Sequence, residues 1–272
     1  MVIRTQSQDA VYSAPLAGRE RVLLAEWERA RTGRVTRSDL VSRFGEDLAT
    51  ELSRSLVRKG VLRRVGPGVF LVVPLRAQVH ASTPSAAVAV AGLLADEPYY
   101  LGGLFAFSFH GLTEQQFLSR LDAFVLRRRA RRTMANALVR FHVTREENVM
   151  NGAVRTTIEG TDVMVATRER ALLDALDFPK VVGGLRAALR LTTPALGKVD
   201  LRALVRLAAA GSRVSTCQRL GVLLSRQGAA ARVLGPLVTR VQENRSLVSL
   251  FPDMPRRGRV NALWRVVEND GQ

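Results

Sequence analysis

At 272 residues the chain can bury one large core or two ordinary ones, and 41 Lys+Arg against 24 Asp+Glu give it a formal charge of +17, which favours phosphate-bearing or acidic partners. A lone cysteine, Cys217, excludes an internal disulfide and any thiolate metal cluster within one chain. Met1–Leu16 has no apolar core of a signal peptide and the longest mostly apolar run, Ala86–Ala95, is too short to span a bilayer, so a cytoplasmic protein with no membrane partner is expected.

Nearly all the basic charge is arginine, since the lysines are only Lys59, Lys180 and Lys198. A GC-rich genome accounts for arginine in place of lysine but not for the net balance. The excess is spread along the chain, with 13 basic against 8 acidic residues over 1–75 and 28 against 16 in the rest.

Arg19 to Val73 reads as three short helices followed by an arginine-rich hairpin, the order of a winged helix-turn-helix. Thr36-Arg37-Ser38-Asp39 has the shape of a capping box and opens the second helix. Gly45 makes the turn into a third helix over Glu46–Lys59, which places Leu48, Leu52 and Leu56 on one face. Gly60 ends it, and Val61–Val65 then turns through Gly66-Pro67-Gly68 into Val69–Val73, two β-prone runs that make the wing. The DNA-binding domain is placed at 1–75, with Pro74–Ser82 as linker.

The second domain, 83–272, opens with a cap at Thr83-Pro84 and an alanine-rich helix to Leu94, followed by a helix from Gly102 to about His110. Short β-prone runs follow at Ala123–Leu126, Leu138–Val143, Val154–Ile158 and Asp162–Val165, the last two joined by a tight turn at Glu159-Gly160. Helices return at Arg168–Leu176, Leu185–Leu191, Leu201–Ala209 and Ser215–Gln227, and Leu247–Phe251 and Leu263–Val267 add edge strands. Strands and helices are segregated, so the fold class is α+β.

On the third helix, Arg54 suits the guanine edge, where its parallel donors match two acceptors, while Thr50 and Ser53 reach bases or phosphates and Arg58, near the helix end, suits the backbone. Arg37 at a helix start is a natural phosphate contact. Arg63 and Arg64 are adjacent in a strand and face opposite ways, so they cannot serve one groove equally. In the second domain Arg127, Arg128, Arg129, Arg131 and Arg132 form the densest charge run, read as an exposed loop that takes nucleic acid or an acidic partner.

No catalytic set emerges. Asp174 and Asp177 lie three apart on a helix without a companion lysine, and the plainer reading pairs Asp174 with Arg170 at i, i+4. No histidine has a second ligand at metal spacing, and phosphate-loop, dinucleotide, nucleophile-elbow and zinc signatures are absent. No enzyme activity, metal or cofactor is expected. His110, Cys217 and Trp264 read as core or capped residues.

Gly66-Pro67-Gly68-Val69-Phe70 after Arg63-Arg64-Val65, Tyr99–Leu104 with His110–Gln115, and Arg168–Asp174 followed by Gly183-Gly184 together resemble the AbiEi family of bacterial antitoxins. Arg219–Leu224, Gly258 and Trp264-Arg265-Val266 are similar to its C-terminal segments. The resemblance implies an N-terminal winged helix that represses its own operon by binding double-stranded operator DNA. It also implies a C-terminal domain that neutralises a nucleotidyltransferase-type toxin, in many members without a stable complex. The competing expectation is a stand-alone winged-helix regulator whose second domain senses a ligand or binds a partner.

Overall fold

The computed structural model describes residues 15–73, 85–115 and 119–270; the linker expected at Pro74–Ser82 and the cap at Thr83-Pro84 lie outside them. The chain divides into two compact units, the first running to Asp96 and including 134–136 and 157–162.

The first unit has the order α1 (Gly18–Arg29), β1 (Arg34–Thr36), α2 (Arg37–Phe44), α3 (Glu46–Arg58), β2 (Leu62–Gly66) and β3 (Val69–Val72). The capping box at the start of α2 forms in full: Asp39 N–H donates to Thr36 Oγ1 at 3.1 Å and Thr36 N–H donates to Asp39 Oδ2 at 2.7 Å. Gly45, at φ 77°, ends α2 and opens α3, a backbone conformation that side chains bearing Cβ rarely adopt. The hairpin β2–β3 turns at Pro67-Gly68, and β1 pairs antiparallel with β3 to give the strand order β1-β3-β2. At three residues, β1 is too short to announce itself in the sequence. Leu23, Leu24 and Trp27 of α1, Leu40 of α2, Ala49, Leu52 and Leu56 of α3, and Phe70 and Val72 of β3 close one core.

Helix α4 (Ala86–Leu93) is capped by Ser85, whose hydroxyl accepts from Val88 N–H. It was expected in the second domain, but it packs on the hairpin of the first. Residues Ala87 to Gly92 are all buried, and a Cβ on Gly92 would lie 2.4 Å from Leu71 Cδ2. A helix apolar all round must be covered, and part of its cover is β3.

The second unit builds on β4 (Tyr99–Gly102), α5 (Gly103–Phe109), β5 (Arg120–Val125), β6 (Arg132–Met134), β7 (Ala137–Val143), α6 (Glu146–Gly152), β8 (Ala153–Ile158) and β9 (Thr161–Ala166), apart from the end of β6, the end of β8 and the start of β9, which fall in the first. Their sheet has the order β6-β7-β5-β4-β9-β8; β5 lies between parallel β7 and antiparallel β4, and β4 is parallel to β9. The β8–β9 turn is at Glu159 (φ 51°) and Gly160 (φ 77°), the left-handed pair of a tight hairpin. Helices α7 (Arg168–Asp177), α8 (Leu185–Ala195), α9 (Leu201–Gly211), α10 (Val214–Arg226) and α11 (Ala231–Gln242) follow. A small sheet of β10 (Val248–Ser249), β11 (Arg259–Asn261) and β12 (Val266–Glu268), in the order β10-β12-β11, ends the chain. The fold is α+β, as the segregated runs predict. Helix α11 escapes a propensity reading because Gly235-Pro236 interrupts it; burial of Leu234, Leu237 and Val241 holds it together.

Candidate nucleic-acid interface

Helix α3 is two-faced. Ala49, Leu52 and Leu56 turn to the core, while Thr50, Ser53, Arg54, Val57 and Arg58 line a groove of about 420 Å³. Arg37 from α2 and Arg64, Gly68 and Phe70 from the hairpin form its other walls.

The wall at α2 is fixed by the backbone. Arg37 N–H donates to Gly68 C=O at 2.7 Å, and a Cβ on Gly68, at φ 64°, would sit 3.3 Å from Arg37 Cβ. The guanidinium is held from the other side: Nη2 donates to Thr50 Oγ1 at 3.0 Å and pairs with the Glu46 carboxylate. Arg54 and Arg58 are exposed and, among the described residues, have no ion-pair partner; the exposed Arg64 donates through Nε to Gly66 C=O at 3.3 Å. Four guanidiniums therefore border one concave surface.

Six of the expected contact residues meet here. The seventh, Arg63, is half-buried on the opposite face of β2 and does not line the groove. Ser53 lines the wall but is buried, and its hydroxyl donates to Thr50 C=O at 3.0 Å, so it shapes the surface more than it reaches outward. Val57 was not singled out by sequence; its signal was an apolar residue on the polar stripe.

The arginine run of the second unit divides. Arg127, Arg128 and Arg131 are exposed on the loop over 126–131, whereas Arg129 pairs with Glu97, and Arg132 begins β6 with its guanidinium 6.0 Å from the Phe141 ring centre.

No protein-family model and no curated protein matches the chain. Its fold is shared. The RV2827C protein from Mycobacterium tuberculosis superposes with a TM-score of 0.63 over 94% of each chain, at 16% sequence identity. That likeness concerns architecture alone.

The second unit holds two ionic centres, of which the sequence discloses only the Arg170–Asp174 pair. Asp122 on β5 is 2% exposed and accepts from Arg120 Nε at 3.0 Å, Arg140 Nε at 2.9 Å and His142 Nε2 at 2.7 Å. The parallel β5–β7 register places Asp122 beside Arg140 and Phe124 beside His142. Burial opposes the charge on Asp122, but the hydrogen bonds from His142 and Arg140 and the charges of Arg120 and Arg140 outweigh it and hold its carboxyl below the usual range.

The other centre is Arg170, fully buried on α7. It reaches Asp174 Oδ1 at 2.9 Å, Asp177 Oδ2 at 3.3 Å and Asn148 Oδ1 at 3.0 Å. The i, i+4 partnership with Asp174 is the one the sequence predicts. Tyr100 Oη also donates to Asp174 Oδ1, at 3.2 Å, while Oδ2 is buried without a hydrogen-bond partner among the described residues. Burial pushes the Asp174 carboxyl up to about 6 against the opposing pull of Arg170. A Cβ on Gly152 would lie 2.5 Å from Arg170 Cδ, so this is a packed structural network.

The remaining residues weighed in sequence are buried or, for His110, half-buried. His110 Nε2 donates to Ala166 C=O at 2.6 Å, the Cys217 thiol is buried with its titration pushed up to about 12, and Trp264 is buried with Nε1 donating to Ser225 Oγ at 2.8 Å. Among the described residues no helix is long and apolar enough to cross a membrane.

Proposed function

We propose that the first unit is a winged helix-turn-helix that grips double-stranded operator DNA upstream of its own operon. The whole chain acts in the cytoplasm as the antitoxin of a toxin–antitoxin pair, countering a nucleotidyltransferase-type toxin. The observation that carries the DNA half is the convergence of Arg37, Arg54, Arg58 and Arg64 on one groove between α3 and the hairpin.

In this reading α3 enters the major groove. Arg54 takes the paired acceptors of a guanine, Thr50 lies beside it, and Arg37, Arg58 and Arg64 take phosphates on either side. The hydrogen bonds that hold the exposed Arg37 side chain in place lower the entropy lost when it meets a phosphate. Arg127, Arg128 and Arg131 add charge that meets either the duplex or an acidic partner. The antitoxin half rests on the ordered resemblance of the segments from Gly66 to Val266.

The test is a promoter fusion and a growth assay in one host. The chain should silence a reporter driven by its upstream region, and Arg54→Ala should relieve that silencing. Co-expression of the nucleotidyltransferase-type toxin should arrest growth only in the absence of the chain. Silencing without protection would make it a stand-alone regulator, and protection without silencing would confine it to the toxin.

A further inference from the structure

An aliphatic side chain stands among the guanidiniums of the groove. Val57 is 37% exposed, on the groove-lining stripe of α3 with Arg54 and Arg58 as its neighbours. The core face of the same helix is already filled by Leu52 and Leu56, 6% and 0% exposed. A β-branched residue is also a poorer helix former than leucine, lysine or arginine. Helix propensity does not select valine here, and its exposed part faces the groove and not the core.

Phosphate oxygens offer an isopropyl group nothing. In the major groove of a duplex the base edge presents one apolar group, the C5-methyl of thymine. Arg54 and Val57 are three residues apart, which is about 4.5 Å along a helix axis, close to the rise of about 3.4 Å between successive base pairs. The two side chains can therefore address neighbouring pairs.

We propose that Val57 is a specificity-determining residue that reads a thymine C5-methyl beside the guanine contacted by Arg54. The inference rests on the DNA-binding reading given above. The methyl contact removes from water an apolar side chain that the groove exposes between two cations, and a cytosine at the same position leaves Val57 uncovered against an amino group.

The test removes the methyl from DNA and the isopropyl from protein. The upstream fragment is amplified once with thymidine triphosphate and once with deoxyuridine triphosphate, which preserves base pairing. Both forms are titrated by fluorescence anisotropy with the full chain and with Val57→Ala, whose folding is verified by thermal melting. The full chain should bind the uracil form about threefold to fivefold more weakly for each methyl contacted. Val57→Ala should bind the thymine form with that same loss and should not distinguish the two forms.

Uracil also alters groove shape, so the decisive quantity is the disappearance of the difference in the variant. An equal uracil penalty in both proteins overturns the proposal. So does the absence of any penalty while the full chain still prefers upstream over scrambled DNA, which leaves the DNA-binding reading standing. Failure of the full chain to prefer upstream DNA overturns both.

Discussion

Arg37 and Thr50 tie α2 to the outer face of α3: the guanidinium Nη2 of the first residue of α2 donates to Thr50 Oγ1 at 3.0 Å, and the Thr50 hydroxyl donates on to Glu46 C=O at 2.9 Å. Glu46 completes the arrangement by pairing with the same nitrogen of Arg37. The arginine is held ready beside the groove, but part of its charge is neutralised by an exposed carboxylate.

Glu46→Gln keeps an acceptor for Arg37 and removes the negative charge. Affinity for upstream and scrambled DNA should rise together. The salt dependence should also steepen, by up to ~0.9 log units per log unit of salt if Arg37 gains one full phosphate contact. Anisotropy titrations over a salt series measure both, and unchanged affinity and slope would mean that the Glu46 charge does not compete with phosphate for Arg37.

The contrast between the two units explains how much the sequence disclosed. In the first, every boundary is local. Thr36 and Asp39 are three apart, Gly45 and Gly60 have φ of 77° and 73°, and Gly66-Pro67-Gly68 turns the hairpin, so a reader of neighbouring residues finds the three helices, the hairpin and most of the groove, but not the short β1. The Asp122 centre joins residues 18 and 20 apart through a parallel pairing, and no local pattern reports such a register. Arg129 looked equivalent to its neighbours until Glu97, 32 residues away, claimed it.

Asp122→Asn should destabilise the chain by roughly 2–3 kcal/mol at neutral pH, somewhat below the value for a fully buried ion pair because Arg120, Arg140 and His142 are partly solvated. The carboxyl of Asp122 is held low in the folded chain, so its contribution is complete above the ordinary carboxylate range and is lost as pH falls through its depressed titration. Urea unfolding at several pH values should therefore show the variant and the parent converging in acid. A gap that persists in acid would assign the effect to packing.

Asp174 has the opposite sign. Its folded carboxyl titrates at about 6, above the unfolded value of about 3.9, so the folded state retains a proton that the unfolded chain releases. The resulting stabilisation is complete below the unfolded value and is lost as pH rises to about 6. Carboxyl ¹³C chemical shifts read this titration directly; a midpoint in the ordinary carboxylate range would show that Arg170 outweighs burial.

Gly221 on α10 lies against the Trp264 ring, where an added Cβ would fall 2.2 Å from Cε3 and 2.3 Å from Cδ2. Gly221→Ala should cost about 1–3 kcal/mol as an overpacked core site. The fully buried indole makes tryptophan fluorescence a sensitive companion to thermal melting. An unchanged melting temperature would mean that α10 and the turn carrying Trp264 can separate at little cost.

The central claim, that the groove between α3 and the hairpin reads DNA, is tested most directly by anisotropy titrations of Arg54→Ala and Arg58→Ala on upstream and scrambled duplexes at two salt concentrations. Arg54→Ala should lose about 1–3 kcal/mol on the upstream duplex alone, while Arg58→Ala should weaken both duplexes equally and flatten the salt slope by about one phosphate contact. Upstream selectivity that survives in both variants, with unchanged affinity and slope, would contradict the account.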